Sequence, residues 1–256
     1  MIGFFRKIRR TLANENNFIK YSRYAIGEIV LIMVGILLAL QLNNWNEYKK
    51  VRVVELQLLE DLKSELTTNL EQLTKAMEYH KISKDAAKKL LQIFNGEYEY
   101  KKHTEVDSLL GVVQWAWTFD PSMGVMDAIK NSGYFNAVQN SKLRKLIASY
   151  EELSIDAQEE SKILQNLIIN RYIPRVNIYL SVIERSKYQD IKYVGVQSSK
   201  FKPNYTGLFN DRILESELSY IYTWRVDEAL EEEYLYNFMR SFVATLDAEI
   251  QGQKKF

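Results

Sequence analysis

The pattern of apolar and polar residues near the start of the chain predicts a transmembrane helix. Residues 25–42 read AIGEIVLIMVGILLALQL, in which only Glu28 and Gln41 are strongly polar and both lie near the ends. Eighteen helical residues extend about 27 Å, which is close to the hydrocarbon thickness of a bilayer. Residues 29–40 are apolar on every face, whereas a helix lying on a membrane surface would keep a polar stripe. We therefore assign residues 25–43 to a membrane-spanning helix.

The residues on either side of this stretch favour a membrane span over the alternative, a buried core helix of a soluble protein. Trp45 and Tyr48 follow it, as in the aromatic belt at a membrane interface. No small-residue cleavage pattern follows Leu40, which favours an uncleaved signal anchor. Six basic residues precede it: Arg6, Lys7, Arg9, Arg10, Lys20 and Arg23. Because basic flanks stay in the cytoplasm, we predict a cytoplasmic segment 1–24 and a periplasmic domain 44–256, anchored in a bacterial inner membrane.

Two features inside the predicted span have alternative interpretations. Gly35 and Ala39 are small residues four positions apart, a spacing that lets two membrane helices pack closely, although it is also common by chance. Glu28 is costly inside a membrane, but it lies about one turn from Tyr24 and can reach the interface there. We regard Gly35 and Ala39 as candidate residues for helix packing in the membrane and assign no function to Glu28.

The hydrophobic periodicity predicts that the helix continues beyond the bilayer. No proline or glycine occurs between Trp45 and Phe94, and Gly96 should end the helix. A more polar patch at residues 80–85 suggests a kink or a short break. The apolar stripe recurs every three or four residues: Leu59, Leu62, Leu66, Leu70, Leu73, Met77, Ala87, Leu90, Leu91 and Phe94.

The rest of the chain reads mainly as further helices. A short helix is predicted within residues 106–117, and Asp120-Pro121 should begin another that ends at the Ser132-Gly133 stop. Ser141 should cap a long helix that Pro174 kinks or ends. Residues 186–210 form a long irregular region with a short β-like stretch at 191–196.

The last segment reads as a long helix that packs on one face. Asp211 should cap it, and it should run to about Ile250. Its predicted buried face comprises Leu235, Phe238, Phe242, Leu246 and Ile250. The fold class is therefore mainly α: an N-terminal transmembrane helix continuing into a long helix of an antiparallel helical bundle.

Composition and charge exclude several classes of protein. Hydrophobic residues make up 46% and charged residues 26% of the 256 residues, which is typical of a globular chain. Residues 1–24 carry a net charge of +5, whereas the residues after position 46 carry −3. A nucleic-acid-binding domain normally shows a concentrated basic face, so we expect no nucleic-acid partner. The absence of cysteine excludes disulfides and thiolate sites.

Residues with chemical potential are sparse. The two histidines, His80 and His103, fit no His-Glu-x-x-His or Glu-x-x-His metal pattern, and His80 reads as part of a solvated helix face. The acidic run Glu231–Glu233 also reads as solvated, because adjacent residues diverge around a helix. No phosphate-binding loop or nucleophile elbow occurs. We therefore expect neither an enzyme nor a bound metal or cofactor.

The best candidate for binding is the aromatic cluster around residues 115–120. Trp115, Trp117 and Phe119 lie beside Asp120, and aromatic rings next to a carboxylate suit sugars or cationic ligands. The simpler alternative is that the two tryptophans anchor a loop onto the bundle. Trp115, Trp117 and Asp120 are the candidate ligand or interaction residues.

Two stretches resemble a known family. The first comprises FFRKIRR and, six residues further on, NNFIKYSRYAIGEIVLIMVGILLALQLNNWNEYKK; it is similar to the opening of an uncharacterised bacterial family of single-pass membrane proteins, a domain of unknown function. The second, DAIKNSGYFNAVQNSKLRKLIASYEEL, is similar to that family's internal signature of helix, Ser-Gly stop, short link and new helix. The resemblance implies a membrane anchor with a helical extramembrane domain, and it implies no activity.

These observations leave three functional hypotheses. The first is a membrane-anchored protein-interaction or scaffold module of the cell envelope that binds the lipid bilayer and another envelope protein or a second copy of itself. The second is an envelope sensor or ligand-binding module, with its site near residues 115–120 or in the region 186–210. The third, which nothing in the sequence nominates, is an enzyme built from distant residues.

Overall fold

The computed structural model of the chain describes residues 18–131, 133–136, 138–186 and 197–254. The chain divides into two compact units, residues 1–55 and residues 56–256. Within the described ranges the secondary structure is helical and contains no strand. The predicted β-like stretch 191–196 lies outside the described residues.

The described part of the first unit is helical, and its surface is apolar over residues 29–40. Helix α1 (Phe18–Phe94) begins there, and the side chains from Ile29 to Leu40 are exposed on every face. In the described part of the chain, α1 is the one helix long and apolar enough to cross a membrane, and none of its most apolar stretch is buried. Beyond this stretch the Lys49 ammonium lies 3.9 Å from the centre of the Trp45 ring, as in an interfacial belt.

Helix α1 continues through the polar patch at residues 80–85 as one helix, so the short break suggested there is absent. The buried stripe simply continues through the patch with polar side chains, because His80 and Ser83 are buried and hydrogen-bonded to other elements. The stop at Gly96 is confirmed. Gly96 has a φ of 73°, a left-handed conformation that favours glycine just after a helix.

The remaining helices all belong to the second unit. They are α2 (His103–Val113), α3 (Gly124–Asn131), α4 (Ser141–Leu167), α5 (Ile173–Val176), α6 (Val182–Ser186), α7 (Tyr205–Phe209) and α8 (Arg212–Gln253). A 3₁₀ turn (Tyr134–Asn136) follows α3, and a π-helical turn (Ile168–Tyr172) joins α4 to α5.

Helix α3 begins at Gly124 rather than at Asp120-Pro121 as predicted. Its N-terminus is capped from α1, since the Glu65 carboxylate accepts hydrogen bonds from the backbone N–H groups of Val125 at 2.8 Å and Met126 at 3.2 Å. A distant carboxylate thus replaces the local cap that the sequence suggested. The stop at Gly133 is confirmed by its φ of 77°.

The caps of the two long C-terminal helices were predicted to within one residue. Asn140, not Ser141, caps α4, because its side-chain oxygen accepts from the N–H groups of Lys142 and Leu143. Asp211 caps α8 as predicted. The helical path continues through Pro174. A widened turn precedes it, in which the N–H of Ile173 bonds to the carbonyl of Ile168, and the helix then ends at Val176.

Within the second unit, helix α8 runs antiparallel to both α1 and α4. From α4 to α8, Asn140 pairs with Glu249 and Ser161 with Glu228, at 2.7 and 2.5 Å. From α1 to α8, Lys63 pairs with Asp247 at 2.5 Å. Residues further along α4 pair with residues closer to the N-terminus of α8, so the two helices run in opposite directions. The predicted antiparallel bundle is confirmed.

The described residues of the second unit form two hydrophobic clusters. The first joins Leu59–Ala76 of α1 to α4 up to Ala157 and to α8 from Leu235 onward. The second joins Ala86–Ile93 of α1 to the region around α2, to α4 from Leu164 onward and to α8 up to Ile221. On each of these three helices a short interval separates the two clusters, and buried polar and charged side chains are concentrated in these intervals.

Candidate functional site

A buried polar layer lies between the two hydrophobic clusters. On α1, His80 falls between Ala76 and Ala86, and on α4, Ser161 falls between Ala157 and Leu164. Helix α8 contributes Arg225, Glu228 and Glu232, which fall between Ile221 and Leu235. All five polar side chains are at most 4% exposed. Burying this many ionisable groups is costly unless they satisfy one another, so their mutual contacts define the site.

His80 uses both ring nitrogens. Its Nε2 lies 2.8 Å from the carbonyl oxygen of Trp117. Because a carbonyl can only accept, Nε2 carries a hydrogen and donates it. Its Nδ1 lies 2.7 Å from Glu232 Oε1 and 3.4 Å from Glu228 Oε1. The Nδ1–Oε1 hydrogen bond to Glu232 holds one proton, carried either by the imidazole or by the carboxyl group.

Glu228 is held on both sides. Its Oε2 accepts from the Arg225 guanidinium at 2.5 Å, and its Oε1 accepts from the Ser161 hydroxyl at 2.5 Å. Arg225 also donates through Nη2 to the carbonyl oxygen of Trp115 at 2.7 Å. These are charge-assisted hydrogen bonds in a site that excludes water, and each is stronger there than on a surface.

The layer and its surroundings are rich in carboxyl groups. Burial raises the pKa of Glu232, and the neighbouring His80 opposes that change. Beside the layer, partial burial also raises the pKa of the half-buried Glu160, and the charges of Glu231, Glu159 and Glu228 add to the rise. Two of the buried polar atoms for which the structure shows no hydrogen-bond partner are Glu160 Oε2 and Arg225 Nε. The layer itself combines two carboxyl groups with one guanidinium and one imidazole, and a third carboxyl group lies next to it.

The buried layer fixes the backbone of the loop that connects α2 and α3, residues 114–123, which we call the aromatic loop. His80 and Arg225 hold the carbonyls of Trp117 and Trp115, and Asn69 bonds to both backbone groups of Ser122, at 2.7 and 2.9 Å. Loops are usually the mobile part of a domain. This one is tied at three points to buried side chains.

On its outer side, the aromatic loop presents an exposed tryptophan that is packed against other rings. Trp117 is 52% exposed, and its ring stacks on Tyr79 of α1 with centroids 4.4 Å apart and an interplanar angle of 3°. Trp115 meets the same Tyr79 edge-on, with centroids 5.4 Å apart. We call Tyr79, Trp115 and Trp117 the aromatic platform. Two of the three candidate ligand or interaction residues thus lie together.

The third candidate, Asp120, lies on the same loop but contacts neither tryptophan through a described hydrogen bond. Its carboxylate is exposed and accepts from the Thr118 hydroxyl at 2.6 Å. Phe119 is 2% exposed and belongs to the first hydrophobic cluster. In the first unit, Gly35 and Ala39 are both exposed, and a Cβ added at Gly35 would meet nothing within 4 Å. Their proposed role in membrane-helix packing stays a prediction.

Two interpretations from the sequence are wrong. His80 is not on a solvated face, because it is 2% exposed, and Glu232 is equally buried within the acidic run. A signal for both was present in the spacing. Buried positions on α1 continue at three- and four-residue steps through Ala76, His80, Ser83 and Ala87, so the stripe includes the histidine. Glu228 and Glu232 are four apart and therefore share one face of α8.

The arrangement can do two things chemically. It can hold a proton between two buried groups, and it can present three metal-ligand atoms to one point, because donor atoms of His80, Glu228 and Glu232 all lie within 4.8 Å of one another. The aromatic platform above it can contact a partner by ring stacking.

Comparison with known proteins gives one match. Residues 28–155, half of the chain, match DUF6090, a family of unknown function. The chain belongs to this family. The matched residues include the apolar stretch, His80 and the aromatic loop, whereas Arg225, Glu228 and Glu232 of α8 lie beyond the match. No curated protein and no solved structure matches the chain. Membership of DUF6090 confirms the expected family and assigns no activity.

Proposed function

We propose that this DUF6090 member is a single-pass membrane protein whose second unit, residues 56–256, acts as a protein-interaction or scaffold module of the cell envelope. The membrane part rests on the exposed apolar surface from Ile29 to Leu40. An exposed apolar surface that extends around a helix over twelve residues is unfavourable in water and favourable in lipid. We place the N-terminal segment in the cytoplasm and the second unit in the periplasm, on the strength of the basic flank.

The interaction role rests on one observation, the stacking of exposed Trp117 on Tyr79. Tryptophan and tyrosine are enriched among the residues that contribute most to binding at interfaces. A ring that is already held in place loses little conformational freedom when a partner covers it. Here the ring plane is set by the stack, and the backbone is set by His80 and Arg225.

The other partners follow from charge and chemistry. The net charge of −3 after position 46 disfavours nucleic acid, so we propose the lipid bilayer and another envelope protein, or a second copy of the chain, as partners. The groups of the polar layer are buried and hydrogen-bonded to each other. We propose that they serve structure and binding rather than turnover of a substrate.

A photo-cross-linking amino acid at position 117 of the full-length protein tests the interaction role in cells. We expect a discrete cross-linked species. Phe201, 73% exposed, is the matched control site because it is an exposed aromatic residue outside the aromatic platform, and it should give none. Co-expressing two differently tagged copies separates self-association from a second protein. Monomer alone at position 117, or the same species from both positions, would contradict the proposal.

A second candidate function is ligand binding at the same aromatic platform. The exposed residue Trp117 and the exposed carboxylate of Asp120, three residues further along the same loop, are of types that suit a sugar or a cationic ligand. Tryptophan fluorescence of the full chain, titrated with cell-wall sugars, tests it against the Trp117→Phe variant. A change that the variant abolishes would favour the sensor, and identical flat titrations would dismiss it.

Topology needs its own experiment. Alkaline phosphatase, which is active only outside the cytoplasm, fused after Phe256 should be active, and a fluorescent reporter that matures only in the cytoplasm should be dark. The reverse pattern would overturn the orientation without affecting the interaction role.

A further inference from the structure

We propose that His80, Glu228 and Glu232 form a binding site for one divalent cation of the zinc class, in which the cation takes the place of the hydrogen between His80 and Glu232. The inference does not depend on the proposed interaction role. It rests on the donor set, its geometry, the groups that orient it, the charge around it and a route to the surface.

The donor atoms are suited to such an ion. One imidazole nitrogen with two carboxylate oxygens matches the ligands that Zn²⁺ and neighbouring first-row divalent ions take in proteins. Glu228 and Glu232 share one face of α8 and His80 approaches from α1, so the three donors come from two packed helices. The chain has no cysteine and one other histidine, His103, whose ring is exposed and stacks on Tyr205 at 3.9 Å.

The spacing of the donors is close to what coordination needs. With metal–ligand bonds of about 2.1 Å, two ligand atoms on one ion stand about 3.0–3.4 Å apart. His80 Nδ1 and Glu228 Oε1 are 3.4 Å apart, within this range. His80 Nδ1 and Glu232 Oε1 are 2.7 Å apart, the length of the hydrogen bond between them. An outward movement of a few tenths of an ångström by one long glutamate side chain admits the ion.

The ligands are oriented by neighbouring groups as in metal sites. A metal-binding histidine normally donates its other ring N–H to a carbonyl or carboxylate. His80 Nε2 donates to the Trp117 carbonyl, which fixes the tautomer with Nδ1 free to coordinate. Ser161 and Arg225 hold the two oxygens of Glu228 in the same way. These contacts remain intact when Nδ1 and the Glu232 oxygen turn to a cation.

The charge around the site also favours a cation. Among the buried groups, Glu228 and Glu232 carry two negative charges when ionised, and Arg225 carries one positive charge. The half-buried carboxyl group of Glu160 adds further negative charge close to Glu228.

A surface groove between α1 and α8 reaches the site. Glu78, Lys81 and Lys84 of α1 line it, and Glu232, Glu233 and Tyr236 line it from α8. Glu232 thus belongs both to the buried layer and to the wall of the groove. It is the one of the three ligands that lines the groove, so a cation entering there would meet Glu232 first.

The test uses Co²⁺ as the probe on the detergent-solubilised full-length chain, purified through a tag without histidine and stripped with a chelator. We expect one Co²⁺ per chain, visible d–d absorption from the imidazole-containing site, displacement by Zn²⁺, and a higher Tm in the loaded protein. No visible absorption change and no Tm shift in the wild-type chain would overturn the proposal without recourse to any variant.

Variants assign the binding to these residues. Glu232→Gln preserves the size and a hydrogen bond to His80 but should weaken Co²⁺ binding at least tenfold, and His80→Gln should abolish the visible bands. His103→Gln is the matched control, since it removes the other imidazole and should change nothing. Binding that survives both Glu232→Gln and His80→Gln, or that disappears in His103→Gln, would place the metal elsewhere. If His80→Gln fails to fold, the comparison of Co²⁺ binding by Glu232→Gln and by His103→Gln decides whether the metal binds at this site.

Discussion

His80 Nδ1 lies 2.7 Å from Glu232 Oε1, although the two residues are 152 positions apart in the chain. This hydrogen bond joins α1 to α8 in the middle of the second unit, between two hydrophobic clusters. Only one alignment of the two helices lets a buried polar pair in this position form its hydrogen bond. If one helix shifted along the other by a heptad, the apolar side chains of the two clusters would tolerate the shift more readily than this pair would.

The first prediction concerns that pair. Glu232→Ala should lower the free energy of unfolding by about 3 kcal/mol, because it removes one partner and leaves the buried Nδ1 of His80 without its hydrogen bond. Glu232→Gln should cost less, since the amide can still donate to Nδ1. Chemical denaturation of the metal-free full-length chain measures both. Glu233→Ala is the control, because Glu233 is the exposed neighbour of Glu232, and an equal loss of stability there would argue against a specific role for the pair.

A second prediction concerns the capping of α3 by Glu65. Glu65→Ala should destabilise the second unit by about 1–2 kcal/mol, because the N–H groups of Val125 and Met126 lose their acceptor. Hydrogen exchange should speed up at these two amides before it does in the rest of α3. Glu71→Ala, an exposed change on the same α1 helix, should leave exchange in α3 unaltered. Unchanged protection in Glu65→Ala would mean that α3 does not depend on this cap.

The cap of α8 yields a prediction about pH. Hydrogen bonds from Arg175 chiefly, and from Tyr179 and the backbone of Leu214 and Ile213, lower the pKa of Asp211 from 3.8 to about 2. Because the folded-state pKa is the lower one, ionised Asp211 stabilises the fold above about pH 4, and this contribution disappears as the pH falls towards 2. The difference between the two pKa values corresponds to about 2 kcal/mol.

Asp211→Asn should therefore be less stable than wild type by about 2 kcal/mol at pH 7, and the two should converge near pH 2. Asparagine still caps a helix, so the difference isolates the ionic part. Asp227→Asn, an exposed change on the same helix, serves as the control and should track wild type at every pH. A gap between Asp211→Asn and wild type that stays constant with pH would contradict the assignment.

A fourth prediction concerns the proposed membrane span. Val34→Arg combined with Leu37→Arg should move the protein from the carbonate-resistant membrane fraction to the soluble or degraded fraction, since each arginine at mid-span costs about 3 kcal/mol of insertion free energy. Ile155→Arg, at an exposed apolar position of the second unit, should stay in the membrane fraction. Unchanged membrane association of the double variant would refute the span.

Features set by neighbouring residues could be predicted from the sequence. The long α1, its stop at Gly96, the stop at Gly133 and the cap at Asp211 each depend on a few consecutive side chains and their backbone conformations. The same holds for the family: the residues quoted for the resemblance overlap the match to DUF6090. Trp115 and Trp117 could be nominated as candidates because they stand close together on one loop.

Only the tertiary structure decided how polar residues were used. The sequence by itself determined where the long helices run and which of their faces are apolar, because those follow from local propensity and periodicity, whereas the short helix α7 lies in the region 186–210 that it predicted to be irregular. From the sequence, His80 and Glu232 were expected to face solvent, because the pattern of one helix does not reveal which side chains of other helices pack against a polar residue. Helices α1, α4 and α8 had to pack before the imidazole, the Ser161 hydroxyl, the two carboxylates and the guanidinium came together, and burying charge is tolerable only once such partners are in place. The start of α3 was misplaced for the same reason, since its cap comes from Glu65 on another helix.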